Sequence, residues 1–427
     1  DLRPLFDTIL NEISGPEYTE GEVTQFLVTN LDYDNYVGQI AIGRLENGSL
    51  EMNTFYTLCG KEQDQKNIKL SAIYTFEGLN KRQVNIIESG EIVAVAGLNN
   101  VKIGDTLTNL ENPKPLPRIS IDEPTLSMIF YVNDSPMAGR DGKFLTARHI
   151  KERLEKEMLR NVSIEVKPTD RADAYEVRGR GELQMAVLIE TMRREGFEFA
   201  VSKPKVITKV EDSITYEPVE RVFIDVPEEY VGIVTERLAQ RKGVMTNLMN
   251  NGGGRVDLEY RIPSRGLIGF RSQFLMETRG TGIMNSLADG FIQWVGPIPQ
   301  RTSGAIVADR GGRATAYAAF AMEDRGDLFI DVGIEVYGGM IIGERNKPRD
   351  LLVNITKEKK LTNMRSSTSD TTVVLHPPRK LSLDQMIEFI AEDELVEITP
   401  IFLRLRKMEL DHNKRKKDAR LEESENF

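Results

Sequence analysis

The sequence predicts a multidomain protein of the β and α+β classes, with a β-barrel, two tandem α/β sandwiches and a mostly β C-terminal domain. Three observations support this prediction. Residues 21–110 hold short alternating apolar runs, the order strand–helix–strand–strand–helix–strand occurs twice between residues 125 and 287, and glycine-punctuated strands follow residue 299. The length of 427 residues allows roughly three domains of about 150 residues each.

The chain begins with the pattern of an amphipathic helix. Its apolar residues recur three and four positions apart, at Leu2, Leu5, Phe6, Ile9, Leu10 and Ile13. Ser14-Gly15-Pro16 ends the helix, and the next segment already has the period of strands. We expect this helix to be the last helix of a domain that precedes it. A terminal helix that docks on a later domain is the alternative.

The β-barrel is predicted from alternating runs at residues 24–29, 38–44, 50–58, 68–74 and 91–95. Asn47-Gly48 lies between two of these runs and predicts a type I′ hairpin. Several short strands in so few residues are typical of a barrel. The proline-rich residues 112–117 then predict a stiff linker.

The two sandwiches are predicted from a repeated order of elements. The first repeat has strands at residues 125–132, 163–166, 174–178 and 197–201, with helical patterns around Leu154 and Leu188. The second has strands at residues 219–226, 244–248, 255–261 and 282–287, with helical patterns around Val234 and Phe270. The βαββαβ order predicts two tandem ferredoxin-like sandwiches.

The C-terminal part is predicted to be mostly β. Strands are expected at residues 304–308, 314–322, 333–337, 340–343, 395–398 and 402–406. A capping box at residues 382–385 predicts a helix, and residues 407–427 form a polar tail. We place the domain boundaries at 1–16 for the terminal helix and linker, 17–116 for the barrel, 117–203 and 204–296 for the sandwiches, and 297–427 for the C-terminal domain.

Composition excludes several classes of protein. Hydrophobic residues make up 40% and charged residues 29%, as in ordinary folded proteins, and the formal charge is −10. The single cysteine cannot form an internal disulfide, and three scattered histidines do not have zinc-ligand spacing. No apolar run approaches the roughly 20 residues that a membrane helix needs. We therefore expect a cytoplasmic protein without a membrane partner.

No catalytic or metal-binding motif is found. The sequence lacks the phosphate loop G-x-x-x-x-G-K-[ST], and it holds no Ser/His/Asp or Cys/His set. Cys59 is expected to be a small buried residue rather than a nucleophile. We predict no catalytic residue, no metal site and no cofactor in this chain. By itself, this chain is not expected to be an enzyme.

A concentrated basic segment occupies residues 345–367. It carries seven basic residues and two acidic ones, Asp350 and Glu358, within an acidic protein. Its predicted RNA-binding residues are Arg345, Lys347, Arg349, Lys357, Lys359, Lys360, Asn363 and Arg365. Unpaired cations attract phosphates, and asparagine and hydroxyl groups suit phosphate and 2′-hydroxyl oxygens. A solubilising surface loop is the alternative.

Two further basic motifs are less specific. A secondary basic cluster is formed by Lys414, Arg415, Lys416 and Lys417, and a solvated chain end is its simplest interpretation. Gly266 and Gly269 form a G-x-x-G flanked by arginines, superficially like an RNA-binding loop. Close helix packing is the favoured reason for these glycines.

Several motifs resemble those of one family. Residues 34–44, together with Ala96-Gly97-Leu98 and Gly104-Asp105-Thr106-Leu107, resemble the second domain of translational GTPases. Gly179-Arg180-Gly181-Glu182-Leu183 resembles an element of the third domain of elongation factor G. With residues 262–271 and 360–365, the match narrows to the BipA (also called TypA) family and covers essentially the whole chain.

The resemblance implies the C-terminal portion of a ribosome-dependent GTPase, with GTP and Mg²⁺ bound only in a missing N-terminal domain. The barrel then corresponds to domain II of translation factors, and the sandwiches to domains III and V. The implied partners are ribosomal RNA, ribosomal proteins and the acceptor end of transfer RNA, which the basic loop contacts. A monomer with a role in large-subunit assembly and growth under cold or other stress is expected. A protein-interaction scaffold that uses the sandwiches without touching RNA is the alternative, and a self-contained hydrolase is less favoured.

Overall fold

The computed structural model describes most of the chain, which divides into two compact units. The described residues are 2–15, 18–19, 21–34, 36–61, 63–78, 80–98, 100–119, 124–161, 163–250, 252–298, 301, 303–358 and 375–417. The first unit comprises residues 1–123 and 152–165, and the second comprises residues 124–151 and 166–427. Among the helices of the described part, none has the length and apolarity that a membrane crossing requires.

The first unit is built almost entirely of strands. Its elements are α1 (Arg3–Glu12), β1 (Gln25–Asp34), β2 (Gly38–Asn47), β3 (Ser49–Glu51), β4 (Phe55–Cys59), β5 (Asp64–Lys69), β6 (Ala72–Glu77), β7 (Asn80–Val84), β8 (Ile86–Glu88), β9 (Ile92–Ala96) and β10 (Thr106–Asn109). Eight strands form one sheet in the order β5-β4-β10-β1-β2-β9-β6-β7. Buried residues such as Phe26, Val28 and Val93 form a shared core. The mostly β fold predicted as a barrel for this part of the chain is therefore confirmed. Cys59 is buried and free, as expected.

The predicted type I′ hairpin at Asn47-Gly48 is wrong. Strand β2 pairs with β1 and β9, whereas β3 pairs with β8 in a separate two-stranded ribbon. Gly48 adopts a φ of 71°, and a Cβ there would lie 2.7 Å from the Cα of Thr24. The Asn-Gly pair therefore turns the chain from one sheet to another, because tertiary pairing overrides the local turn preference.

Helix α1 forms as predicted, but it buries none of its residues. Its apolar side chains are exposed, with Leu10 at 78% and Phe6 at 55%. The alternative in which this helix docks on a later domain is therefore wrong among the described residues.

The second unit begins with the first βαββαβ repeat. Its elements are β11 (Leu126–Val132), α2 (Ala147–Arg160), β12 (Glu165–Pro168), β13 (Ala174–Gly179), α3 (Glu182–Arg194) and β14 (Phe199–Ser202). Helix α2 and strand β12 span the division between the two units. The strand order β12-β13-β11-β14 is that of a ferredoxin-like sheet.

The second βαββαβ repeat has its own five-stranded sheet. Its elements are β15 (Lys205–Val206), β16 (Lys209–Glu211), β17 (Ile214–Pro227), a 3₁₀ turn (Glu228–Tyr230), α4 (Val231–Gln240), β18 (Val244–Asn250), β19 (Arg255–Pro263), α5 (Ser264–Leu267), α6 (Phe270–Glu277) and β20 (Ile283–Gln293). Strands β16 to β20 form the sheet. The core is formed by residues such as Val222, Leu258 and Phe270. A Cβ at Gly266 would lie 2.7 Å from the carbonyl oxygen of Arg241, so the packing interpretation of this glycine is confirmed.

The C-terminal part completes the second unit. Its elements are β21 (Ala305–Ala308), β22 (Gly312–Arg313), α7 (Ala316–Glu323), β23 (Gly326–Leu328), β24 (Glu335–Val336), β25 (Met340–Arg345), β26 (Leu351–Val353), α8 (Leu383–Phe389), β27 (Glu394–Ile398) and β28 (Leu403–Lys407). The capping box predicted at Ser382 is present. The strand predicted at residues 314–322 is wrong, because an alanine-rich helix begins there after the N-cap Thr315.

One sheet of 11 strands runs through the first sandwich and the C-terminal part. Strand β14 pairs antiparallel with β27, with Phe199 opposite Ile398. The buried carboxylate of Glu397 accepts hydrogen bonds from the hydroxyl groups of Ser135 and Tyr337 and forms an ion pair with Arg404. These two regions therefore share a core, which places the root of the basic segment on a rigid support.

Candidate nucleic-acid interface

The first half of the basic segment forms a tight turn between β25 and β26. We call residues 345–349 the basic turn. The backbone N–H of Gly304 donates to the carbonyl of Lys347 at 2.9 Å, and the N–H of Arg345 donates to the carbonyl of Gly304 at 2.8 Å. A Cβ at Gly304 would lie 1.9 Å from the carbonyl oxygen of Arg349. Only glycine allows this approach, so the basic turn is fixed against β21.

The cations of this segment have few intramolecular partners. Arg345 donates through Nη1 to the carbonyl of Arg349 at 3.0 Å. Lys347, Arg349 and Lys357 are exposed. None of these four side chains forms an ion pair with another residue that the structure describes. Their positive charges remain available to an external anion.

The acidic residue that follows the turn, Asp350, is paired within the fold although its side chain is 39% exposed. Asp350 accepts from the N–H of Ala305 at 2.8 Å and forms an ion pair with Lys407 at 2.5 Å. Burial disfavours the charge on Asp350, but Lys407 and the N–H of Ala305 outweigh it and lower the pKa of this carboxyl. Asp350 therefore cannot neutralise the exposed cations beside it.

Lys407 is the buried counterpart of those exposed cations. Its side chain is 3% exposed and lies within 2.9 Å of carboxylate oxygens of Asp350, Asp393 and Glu394. Burial works against its charge, but attraction by Glu394, Asp393 and Asp350 outweighs it and raises the pKa of Lys407. This lysine stabilises the fold and is not a candidate for RNA contact.

The segment after β26 is tied to helix α7. The hydroxyl of Thr315 donates to the carbonyl of Lys357 at 2.6 Å, and its backbone N–H donates to the carbonyl of Ile355 at 3.0 Å. The two aromatic side chains of α7, Tyr317 and Phe320, are 44% and 51% exposed. Aromatic rings therefore lie on the helix that anchors the backbone of Lys357, where bases could stack on them.

The secondary basic cluster lies on a short helical segment. Residues 412–417 are helical. Arg415 donates through Nη1 to the carbonyls of Glu409 and Leu410, at 2.7 and 2.9 Å. Burial lowers the pKa of Arg415, and the carboxylates of Asp350 and Asp393 oppose that effect. The Arg415 side chain is therefore held by the backbone that precedes its own helix.

Within this cluster the charges differ in availability. Lys414 approaches Glu409 at 3.7 Å, while Lys416 and Lys417 are exposed without an ion-pair partner among the described residues. The remaining predicted RNA-binding residues, Lys359, Lys360, Asn363 and Arg365, lie outside the described residues.

Sequence reasoning missed Tyr317 and Phe320. The sequence predicts a strand at residues 314–322, so these two rings are not expected on a helix. The N-cap residue Thr315 and the following alanines were the features that indicated a helix. In the described part of the chain, no group of three or more His, Cys, Asp or Glu side chains could hold a metal ion.

Comparison with protein families gives three matches along the chain. The model described as elongation factor G domain 2 matches residues 24–110. The model described as elongation factor G C-terminus matches residues 214–302. The model described as TypA/BipA C-terminal domain matches residues 303–412, the part that contains the basic turn.

Curated relatives extend the similarity to the whole chain. The large ribosomal subunit assembly factor BipA of Salmonella typhimurium is 45% identical over 100% of this chain and 70% of its own length. The factor of the same name in Bacillus subtilis is 44% identical over 98% of this chain and 69% of its own. A crystal structure from Thermus thermophilus aligns with 69% of this chain and 59% of its own at 16% identity, with a TM-score of 0.45. On the identity and coverage of the BipA relatives, this chain belongs to the BipA (TypA) family.

Proposed function

We propose that this chain acts in assembly of the large ribosomal subunit, as the names of its relatives say of those proteins. In this proposal it docks at the intersubunit factor site of the cytoplasmic ribosome as a monomer. It contacts ribosomal proteins there, and it contacts ribosomal RNA and the acceptor end of transfer RNA through the basic segment. Growth at low temperature or under stress would depend on it because ribosome assembly would be impaired without it.

A single observation supports RNA contact by the basic turn. Arg345, Lys347 and Arg349 of the turn, and Lys357 after β26, form no ion pair with a described carboxylate. Asp350, the acidic residue that directly follows the turn, is paired with Lys407. If the segment served only solubility, pairing of its acidic residue Asp350 with the buried Lys407 would give no advantage. The exposed rings on α7 add surfaces on which unpaired bases can stack.

The complete protein is proposed to be a ribosome-dependent GTPase. GTP and Mg²⁺ would be bound by a domain ahead of this chain, so no residue of this chain is assigned to them. The exposed apolar stripe of α1 supports this arrangement, because a preceding domain would cover Leu5, Phe6 and Ile9.

The test compares two triple variants in ribosome co-sedimentation across a salt series. Lys347→Gln/Arg349→Gln/Lys357→Gln removes three exposed cations of the basic segment. Lys61→Gln/Lys66→Gln/Lys69→Gln removes three exposed lysines of the first unit and is the matched control. Each lost phosphate contact reduces the slope of log affinity against log salt by about 0.7–0.9, so the first variant should lose about 2–3 in slope.

Two outcomes would contradict the proposal. Equal binding by both triple variants and the parent chain would exclude the basic segment as an RNA contact. Pull-down of partner proteins that is unaffected both by ribonuclease and by the Lys347→Gln/Arg349→Gln/Lys357→Gln substitutions would instead favour the protein-interaction scaffold built on the two sandwiches.

A further inference from the structure

We propose that a cationic cleft in the second unit binds a phosphorylated nucleoside, either free or as an unpaired nucleotide of RNA. The cleft has a volume of about 920 Å³ and is lined by residues of α4, α6 and α8, by the segments 203–208 and 294–298, and by Arg301. Small-molecule sites usually measure about 300–1,000 Å³, so a nucleotide fits. The cleft is distinct from the basic turn, and the proposal goes beyond the function proposed above.

The lining of the cleft is rich in cations. Seven basic side chains line it, against three carboxylates, Glu344, Glu388 and Glu392. The basic ones are Lys203, Lys205, Arg237, Arg241, Arg265, Arg301 and Arg379. Most of these cations already pair with carboxylates, as Arg265 does with Glu217 and Arg301 with Glu394. An anionic ligand is therefore bound by the N–H donors that those pairs leave free.

Several of these guanidinium groups keep donors for a ligand. Among the described residues, Arg237 donates only through Nε, to Glu277 at 2.9 Å, which leaves both of its terminal nitrogens. Arg379 donates only through Nη1, to Glu344 at 2.8 Å. Arg237 and Arg379 are therefore held in position by one carboxylate each while the rest of the planar fork can bind phosphate oxygens.

A fixed aromatic ring supplies the second half of the recognition. The guanidinium of Arg265 stacks over the ring of Trp294 at 3.8 Å from its centre. The buried carboxylate of Glu217 binds Arg265 and also accepts from the N–H of Val295 at 3.0 Å. Glu217 thereby positions both partners of the stack, and Trp294 keeps 42% of its surface exposed.

The combination selects a nucleotide over simpler ligands. Phosphate alone would use the arginines but not the ring, and an apolar ligand would leave the arginines without new partners. A base stacked on Trp294 with its phosphates at Arg237 and Arg379 uses both features. The hydrophobic side chains of Ile298 and Met276 also line the cleft.

Trp294 is the single tryptophan of the chain, so tryptophan fluorescence, excited selectively over that of tyrosine, reports on this cleft. The 427-residue chain is titrated with UTP, with a four-residue oligouridylate and with inorganic tripolyphosphate. Saturable quenching by UTP supports a free nucleotide, and quenching by the oligonucleotide alone supports a nucleotide of RNA. Absence of quenching by both, or tripolyphosphate binding as tightly as UTP, would overturn the proposal.

Variants separate binding from folding. Arg237→Gln and Arg379→Gln should each weaken binding about tenfold, because each removes a charge-assisted contact. Arg171→Gln removes an exposed arginine whose partner is Asp173, outside the cleft, and should leave affinity unchanged. Trp294→Phe, followed by calorimetry, should retain binding that Trp294→Ala loses. Unchanged affinity in both cleft arginine variants would also refute the site.

Discussion

The basic turn and the buried cations beneath it carry the same charge and have opposite roles. Lys347 and Arg349 are exposed and form no ion pair among the described residues, whereas Lys407 is surrounded by three carboxylates. All three residues come from the C-terminal part of the chain. Each adds one positive charge, so a count of basic residues does not distinguish them. The comparison teaches that the partners of a cation, and not its presence, decide whether it can serve as an interface.

The largest expected effect is on the buried side of this comparison. Lys407→Met leaves Asp350, Asp393 and Glu394 without their shared cation. Breaking a buried ion pair from one side typically costs about 3–5 kcal/mol in the free energy of unfolding. Urea denaturation of the whole chain measures this change in the free energy of unfolding. Arg301 also pairs with Glu394. A loss below about 1 kcal/mol would mean that Arg301 compensates the buried negative charge without Lys407.

A smaller effect is expected where the basic turn meets the sheet. Gly304→Ala places a Cβ against the carbonyl of Arg349, a backbone atom that cannot move without shifting the turn. We expect a loss of about 1–3 kcal/mol in the free energy of unfolding, together with weaker RNA binding. The matched control is Gly232→Ala in α4, where nothing lies within 4 Å. Equal stability of the two variants would contradict the close approach at Gly304.

A pH-dependent effect is expected at another carboxylate of the second unit. Glu182 accepts from the N–H of Gly269 at 2.8 Å. Burial raises the pKa of Glu182 to about 7, and Asp384 and Glu388 add to the rise, while Gly269 and Arg241 oppose it. The folded state therefore holds the proton more tightly than the unfolded state, so stability falls as pH rises from about 4.5 to about 7.

Glu182→Gln should remove this dependence. The amide oxygen can still accept from Gly269 and carries no charge. We expect the variant to match the parent chain at pH 4 and to be about 1–2 kcal/mol more stable at pH 8. Thermal denaturation across pH measures the difference. Parallel curves for the two proteins would show that Glu182 is not the titrating group.

The smallest effect on stability is expected at the exposed side of the comparison. Lys347→Gln should change the free energy of unfolding by less than about 0.5 kcal/mol, because the side chain has no partner to lose. Denaturation under the conditions used for Lys407→Met provides the direct contrast. A loss similar to that of Lys407→Met would show that exposed and buried cations of this region are equivalent.

Local patterns predicted much of the secondary structure. The two βαββαβ repeats and the capping box at Ser382 follow from apolar periods and end signals that act within a few residues. The same reasoning was wrong for α7, because a strand is predicted at residues 314–322 and a helix forms there. It also failed at Asn47-Gly48, because the pairing of β3 with β8 overrode the turn preference.

The candidate interface was predicted only in part. Composition identified the basic segment, since charge density can be counted along the chain. Other features of the interface depend on residues far apart in sequence. They are the exposure of Lys347, the ion pair between Asp350 and Lys407, and the position of Tyr317. The cationic cleft was not predicted at all, because its lining comes from several separate segments.

The sequence by itself determined where cations are concentrated and which runs become strands or helices, because those properties depend on neighbouring residues. Only the tertiary structure decided which cations remain available. Pairing of β14 with β27 and burial of Lys407 beneath the basic turn join segments far apart in the chain. Such long-range pairing is set by packing and by compensation of buried charge, which no local pattern encodes.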